Sequence, residues 1–415
     1  MPEREMKDSG IQWIGEIPID WKIVPVKYFF NINRGRVISV LDLDEDGRYP
    51  VYSSQTENNG IFGYINTFDF SGPAITWTTD GAKAGTVFLR DGQYNCTNVC
   101  GILIFKNSNY RLSNIQYLTY AIGAAAEQNK RKDINGYKIM SNEMAKIRFA
   151  IPSLQQQRCI ADFLDKKCSQ IDEISKKIQE EIETLEEYKK SVIYSAVCNG
   201  IDNEELIDTG DEYWKKMPNG WALVDIKYLF EIVKRIAGRE GYPVLSITQR
   251  GLKVKDTESN EGQLAADYSN YQFVYPGDFA MNHMDLLTGW VDLSNQFGVT
   301  SPDYRVFKLR NTKKYNREYY KYVMQCCYQN KIFYSLGQGV SNLGRWRLQT
   351  ESFNNFRVPV PPTSTQIKIG EYLSSTISKI DDSILKKNNQ LKILEDYKRS
   401  LIYEYVTGKK EVPIE

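Results

Sequence analysis

Side chains able to hydrogen-bond the edge of a flat ligand cluster in a few short stretches of this 415-residue chain. YSSQTENNG (52–60) carries Ser53, Ser54, Gln55, Asn58 and Asn59, and TWTTDGAKAG (76–85) carries Thr76, Thr78, Thr79 and Lys83. The basic NKRKDING (129–136) adds Lys130 and Arg131. Later, SITQRGLKVK (246–255) offers Gln249, Arg250 and Lys253, and GQGVSNLGRWR (337–347) offers Gln338, Ser341, Arg345 and Arg347. Asn and Gln amides can pair bidentately with adenine, and Arg or Lys with guanine. Glycine-rich turns bring backbone amides close to phosphates. That is chemistry for holding and reading nucleic acid, although any one of these residues reads equally well as an ordinary polar loop.

Covalent chemistry finds little support. The chain has one histidine, His283, and Cys96-x3-Cys100 is a poor start for a zinc site. There is no G-x-x-x-x-G-K-[ST] phosphate loop. There is no Asn/Asp-Pro-Pro-aromatic motif, since Pro361-Pro362 lies between Val360 and Thr363. No acid pair sits in a motif for acid–base work. The expectation is a protein without catalysis, metal or cofactor of its own. Seven cysteines with no CxxC pair point to a reduced, cytoplasmic protein. No apolar run reaches the length of a membrane span, and the charged MPEREMKDSG is not a secretory signal.

Net charge is +1, yet Lys and Arg outnumber Asp and Glu in 22–154 and in 221–359, while 155–200 is acidic. The two basic blocks are candidates for phosphate contact. They also begin and end alike. Pro18, Trp21, Val24 and Lys27-Tyr28 recur as Pro218, Trp221, Val224 and Lys227-Tyr228. Pro152, Gln157, Leu164 and Ile171-Asp172 recur as Pro361, Gln366, Leu373 and Ile380-Asp381. LEEYKKSVIYSAV (185–197) is answered by LEDYKRSLIYEYV (394–406). So long a period indicates a duplicated domain, not a solenoid.

Each block is followed by a long helical pattern. In the first, Leu164, Ile171, Ile178, Leu185 and Val192 repeat every seventh residue, with Ile160, Phe163, Ile174, Ile182 and Tyr188 beside them. In the second, the stripe is Leu373, Ile377, Ile380, Ile384, Leu391, Leu394, Leu401 and Tyr405. Steps of three and four make a coiled-coil seam. No Gly or Pro interrupts 157–197, and about 40 residues make a rod on the order of 60 Å. Gly200 and Gly408 follow the ends, as helix-stopping residues should. The blocks are strand-rich, with YPVYSS, AITWTT and GILIF in the first and PVLSITQRG and YRVFKLR in the second. Each also ends in a helical stretch, so the class is α+β. The helices are expected to pair antiparallel, with the blocks at opposite ends of a spacer and a pseudo-twofold axis between the repeats.

The opening Trp13-Ile14-Gly15-x-Ile17-Pro18-x-x-Trp21 and the run IPSLQQQRCIADFLDKKCSQID (151–172) resemble the specificity subunits of Type I restriction–modification systems. The stretch AMNHMDLLTGWVDLSNQFGVTSPDYRVF (280–307) is similar to a recurrent pattern of their recognition domains, through Asn282, Met284, Gly289, Ser294, Gly298, Ser301, Pro302 and Tyr304. His283 stands where a lysine is expected. The resemblance covers essentially the whole chain and implies two target-recognition domains, at 1–153 and 201–360, each followed by a spacer helix, at 154–200 and 361–415. It implies that each domain reads half of a bipartite duplex DNA site, contacted through the loops above and Asn282, His283, Ser301 and Tyr304. It further implies that the helices set the gap and recruit two methyltransferase subunits, which use S-adenosylmethionine, and that motor-nuclease subunits join them. A coiled-coil scaffold without DNA and a freestanding bipartite repressor are the competing readings.

Overall fold

The computed structural model describes residues 4–106, 113–134, 136–249, 251–256, 265, 267–339 and 346–413. The chain forms two compact units, residues 1–178 with 389–415, and residues 179–388. Each unit therefore contains one α+β block and part of both long helices.

The first unit opens with a hairpin, Met6–Asp8 against Glu16–Pro18. Strand Lys22–Pro25 leads into α1 (Val26–Phe29). A four-stranded antiparallel sheet follows in the order Val87–Arg90, Ala74–Thr78, Cys100–Phe105, Phe30–Arg34. Side chains alternate across a strand. Ile75 and Trp77 of the second strand face the cluster built with α2 (Ile115–Asn129). Ala74 faces a second layer with Tyr52, Tyr94 and Cys96, so both faces of this strand are covered. Asn114 caps α2, its side chain accepting from the Tyr117 amide at 2.8 Å. After α3 (Ser141–Met144), strand Arg148–Ile151 pairs back on Lys22–Pro25. The 46-residue α4 (Leu154–Asn199) begins directly after it.

The second unit repeats this plan. Hairpin Leu206–Asp208 with Lys216–Pro218 precedes strand Ala222–Asp225 and α5 (Ile226–Leu229). The sheet order is Phe230–Val233, Arg305–Leu309, Phe279–Met281, Val291–Leu293. α6 (Arg317–Gln329), capped by Asn316, covers it, followed by α7 (Ile332–Ser335) and α8 (Thr350–Asn355). Strand Arg357–Val360 pairs with Ala222–Asp225 and leads to α9 (Thr363–Val406). In both sheets the strand after the first short helix lies at an edge, beside the strand that precedes α2 or α6. The repeat is thus one of topology as well as motif. The second layer is where the units differ, with four strands in the first and two separate pairs in the second.

Within each unit α4 and α9 run antiparallel. In the first, Phe163 packs on Tyr405 at 4.6 Å between ring centroids, and Lys398 meets Asp172 at 2.6 Å. In the second, Lys387 pairs with Glu181, and Lys189 meets Asp381 at 2.6 Å. Lys189 and Lys398 hold the same repeat position, as do Asp172 and Asp381. Leu164, Ile171, Val192, Leu373, Ile380 and Leu401 are buried, while Ile178, Leu185 and Leu394 are half-buried. Ile174 (48% exposed) and Tyr188 (54%) lie off the seam, contrary to the stripe read from spacing. A helix of 3.6 residues per turn carries such flanking positions away from a two-helix contact. Gly200 and Gly408 end the helices in left-handed conformation, at φ 73° and 72°. At Gly408 a Cβ would lie 2.5 Å from Pro18.

One latch is duplicated nearly atom for atom. Buried Gln157 accepts from the Asn114 amide (2.9 Å) and donates to the Pro152 carbonyl (3.0 Å). Gln366 does the same with Asn316 (2.9 Å) and Pro361 (2.8 Å). The glutamine ties the start of each long helix to the cap of the block's main helix. Gln157→Leu strands both backbone groups and should destabilise the first unit by about 2–4 kcal/mol, a drop in urea midpoint at unchanged m-value.

Candidate nucleic-acid interface

In the first unit, the loop 53–60 rests on a buried arginine that sequence reading passed over. Arg90 ends a sheet strand, and its guanidinium lies 3.6 Å above the Tyr52 ring and 4.3 Å from that of Phe88. Its Nε donates to Thr76 Oγ1 (3.0 Å) and its Nη1 to the Asn59 carbonyl (2.8 Å). Burial lowers its pKa. Asn58, Asn59 and Gly60 take three successive left-handed conformations, at φ 47°, 51° and 75°. Asn and Gly tolerate this backbone best. Asn58 and Asn59 consequently stand out into solvent on a fixed turn. Ser53 and Ser54 are half-buried, and Ser53 Oγ accepts from the Gln55 amide at 3.3 Å. The exposed Gln55 spends its side-chain nitrogen on the Ile61 carbonyl.

Thr76, Thr78 and Thr79, expected at the surface, do not belong to it. All three are buried in or just after the doubly covered strand. Thr78 Oγ1 donates to the Lys83 carbonyl (2.7 Å) and Thr79 Oγ1 to that of Val99 (3.0 Å). Thr78 thus braces the 80–85 turn from beneath, and Lys83 is exposed at its tip. Hairpin Arg131–Asp133/Gly136–Lys138 pairs with Asp80–Gly81, which brings two sequence-distant candidate stretches side by side. Lys130 is committed to Glu127 (2.7 Å) and lies 4.6 Å from the Tyr137 ring. Arg131 is committed to Glu143 (2.8 Å). These two cations hold the hairpin in place. Exposed Lys132, the residue after Arg131, adds outward charge to the hairpin.

In the second unit, Gln249 and Lys253 are exposed on hairpin Leu245–Thr248/Gly251–Val254. Gln249 Nε2 reaches the Thr288 carbonyl at 3.4 Å. Arg250, Ser341 and Arg345 lie outside the described residues. Asn282 is half-buried, its Oδ1 accepting from the Met284 amide (3.2 Å). Ser301 and Tyr304 are half-buried in a turn whose carbonyls both accept from Gln272. Exposed Gln338 and Arg347 face each other across an antiparallel bridge (3.0 and 3.1 Å). Gln338 also lines a polar cleft of about 570 Å³ with Gln349, Thr350, Glu351, Ser352 and Asn355.

His283 is buried, another correction, and its carbonyl accepts from the Leu348 amide at 2.9 Å. Among the described residues its Nδ1 has no hydrogen-bond partner. Burial, then the charges of Arg305 and Arg347, pull its pKa down to about 3, so it is neutral at pH 7. Arg305, missed by sequence reading, is buried over Phe353 (4.6 Å). It donates to the Leu348 carbonyl (3.0 Å) and Thr350 Oγ1 (3.3 Å), and burial brings its pKa down to about 10. The unfolded chain takes up a proton at His283 near pH 6.5 and the folded chain does not until about pH 3. Stability from this residue is therefore complete above pH 6.5 and declines as pH falls toward 3, by about 1 kcal/mol per unit. His283→Gln should flatten the pH dependence of the second unit's unfolding over that window.

Among the described residues no group of His, Cys, Asp and Glu could hold a metal, and no helix is long and apolar enough to cross a membrane. All seven cysteines are free, and Cys326 and Cys327 are buried.

The family model described as the Type I restriction modification DNA specificity domain matches residues 18–184 and again 218–393. Several similar proteins come from Mycoplasma pneumoniae. One, named as the N-terminus of a type I specificity subunit, is 42% identical over 145 residues, 35% of this chain and 76% of its own length. A second protein named as a type I specificity subunit is 34% identical over 211 residues, 48% of this chain and 65% of its own. The specificity subunit of the Type I restriction enzyme MpnII is 34% identical over 170 residues, 40% of this chain and 50% of its own. A solved chain from work on complex assembly and conformational transition of the type I R-M system has TM-score 0.62 at 12% identity, covering 95% of this chain and 99% of its own. That likeness is one of fold.

Proposed function

The chain belongs to the family of Type I restriction–modification DNA specificity domains, which it carries twice, and from that premise we propose that it is the specificity subunit of a cytoplasmic Type I complex. Each recognition block reads one half of a bipartite duplex DNA site. The antiparallel helices set the gap between the halves and recruit two methyltransferase subunits, to which motor-nuclease subunits add. S-adenosylmethionine is bound by those partners, and this chain contributes binding without catalysis.

The observation that carries this reading is the repeat itself. Two sheets of the same strand order are each latched by the same glutamine to a long helix, while their second layers and loops differ. A reader of two different half-sites needs a constant frame and variable loops. The test is to co-express the chain with the methyltransferase subunit of its own system and map N6-methyladenine in the host DNA. One bipartite motif should appear and vanish when this chain is deleted. No motif, with a methyltransferase shown active beside another specificity subunit, would leave the scaffold reading. Tight sequence-specific binding by the chain alone, without methylation, would favour the repressor.

A further inference from the structure

Most residues shared by the two repeats have a structural reason to be shared. Trp21 and Trp221, or Phe30 and Phe230, are buried. Asp8 and Asp208 each accept from the amide two residues on, that of Gly10 or Gly210. Lys27-Tyr28 and Lys227-Tyr228 are different, because both tyrosines point outward, at 54% and 64% exposure, from α1 and α5. Each pair is joined by a further cation, one residue past the neighbouring sheet strand. Lys106 Nζ donates to the Lys27 carbonyl (2.7 Å), and Arg310 Nε donates to the Lys227 carbonyl (3.0 Å). In the second copy Lys227 Nζ is 2.9 Å from Asp225, 2.9 Å from Asn355 Oδ1 and 5.2 Å from the Tyr228 ring. A basic–aromatic cluster thus recurs at one place in the frame, while the loops around it diverge.

We infer that these two clusters, Lys27/Tyr28/Lys106 and Lys227/Tyr228/Arg310, are sequence-independent anchors for DNA backbone phosphates, one per recognition block. This rests on the DNA-reading function proposed above. Half-sites that differ require base-reading side chains that differ, whereas the phosphates of both halves are chemically alike. An exposed feature held constant between diverged readers is what a phosphate anchor should be, and two cations with a phenolic hydroxyl are suitable donors.

Placement favours DNA over a protein occupant. In the second unit Asn355 joins Lys227 to the cleft that Gln338 lines, and Gln338 bridges to Arg347. In the first unit the Lys27 amide donates to the Ala145 carbonyl (3.1 Å), just past α3. α3 carries Glu143, the partner of Arg131 on the basic hairpin. Each cluster therefore adjoins a candidate base-reading loop of its own block.

The experiment titrates the full-length chain with a mixed-sequence duplex of about 40 base pairs over a range of KCl concentrations. Lys27→Gln/Tyr28→Phe and Lys227→Gln/Tyr228→Phe are compared with Lys392→Gln, an exposed control on α9. Each pair variant should weaken binding several-fold at about 100 mM salt and flatten the log–log salt slope by about 0.9 per lost phosphate contact. The four-site variant should lose about twice as much slope, while the bases of the methylated motif stay unchanged. An unaltered slope, or one altered equally by the control, overturns the inference. So does loss of methyltransferase co-purification at unchanged slope, which would make the clusters a protein interface. Absence of DNA binding by the unmodified chain and its complex would remove the proposed function and the inference with it. Failure confined to the variants removes the inference alone.

Discussion

Removing one heptad from each long helix, residues 175–181 of α4 and 389–395 of α9, should shorten the gap of the methylated motif by about three base pairs and leave its bases unchanged. Seven residues at 1.5 Å rise amount to about 10.5 Å, and duplex DNA advances about 3.4 Å per pair. The ion pairs fix the level at which the two deletions must match. As α4 advances from Glu181 to Lys189, its partners on α9 retreat from Lys387 to Asp381. In the other unit Asp172 faces Lys398. A seven-residue cut keeps the seam in phase, because Leu164, Ile171 and Val192 recur at multiples of seven. The readout is N6-methyladenine mapping of host DNA carrying the variant. A motif with the original gap would sink the proposal that these helices act as the ruler. A change in the bases themselves would mean that the helices help to read sequence.

Arg90→Ala should weaken recognition of one half-site and destabilise the first unit by about 2–4 kcal/mol. The guanidinium is stacked on Tyr52 and hydrogen-bonded to Thr76 and the Asn59 carbonyl, and Gly60 would bring a Cβ within 2.9 Å of it. Without it the left-handed turn at 58–60 loses the group that holds it down. Arg90→Lys should rescue poorly, since an ammonium supplies neither the planar stack nor the fork of donors. Amide exchange at 53–60 should accelerate while 245–254 stays unchanged, and methylation at the bipartite motif should fall at least about tenfold, a loss like that from one mismatched base pair in a site. Retained methylation with faster exchange would show that the turn does not read DNA.

Much of the frame was legible because burial and periodicity are written locally. The seam residues Leu164 and Leu373, the stops at Gly200 and Gly408, and the paired prolines and glutamines before each helix all announce themselves by spacing. The loops were legible only as composition. Asn58 and Asn59 stand out on a rigid turn, whereas Thr76, Thr78 and Thr79, equally polar on paper, are buried as bracing. Their strand is covered on both faces, and the second cover comes from strands that lie before and after it in the chain. Arg131 looked free because its partner Glu143 lies on a later element, whereas Glu127, the partner of Lys130, sits one helical turn before it, at a spacing the sequence already shows.

By itself, then, the sequence determined that the chain is a duplicated α+β protein with two long helices, and which family it resembles. Those properties follow from patterns repeated within a few residues, and hydrophobic burial enforces them wherever the chain goes. Tertiary structure alone decided which polar side chains face solvent and which brace the fold. It also placed Arg90 and Arg305 beneath the candidate loops and brought Lys27, Tyr28 and Lys106 into one cluster. Whether a polar group is paired depends on partners supplied by distant segments, and no local pattern records those.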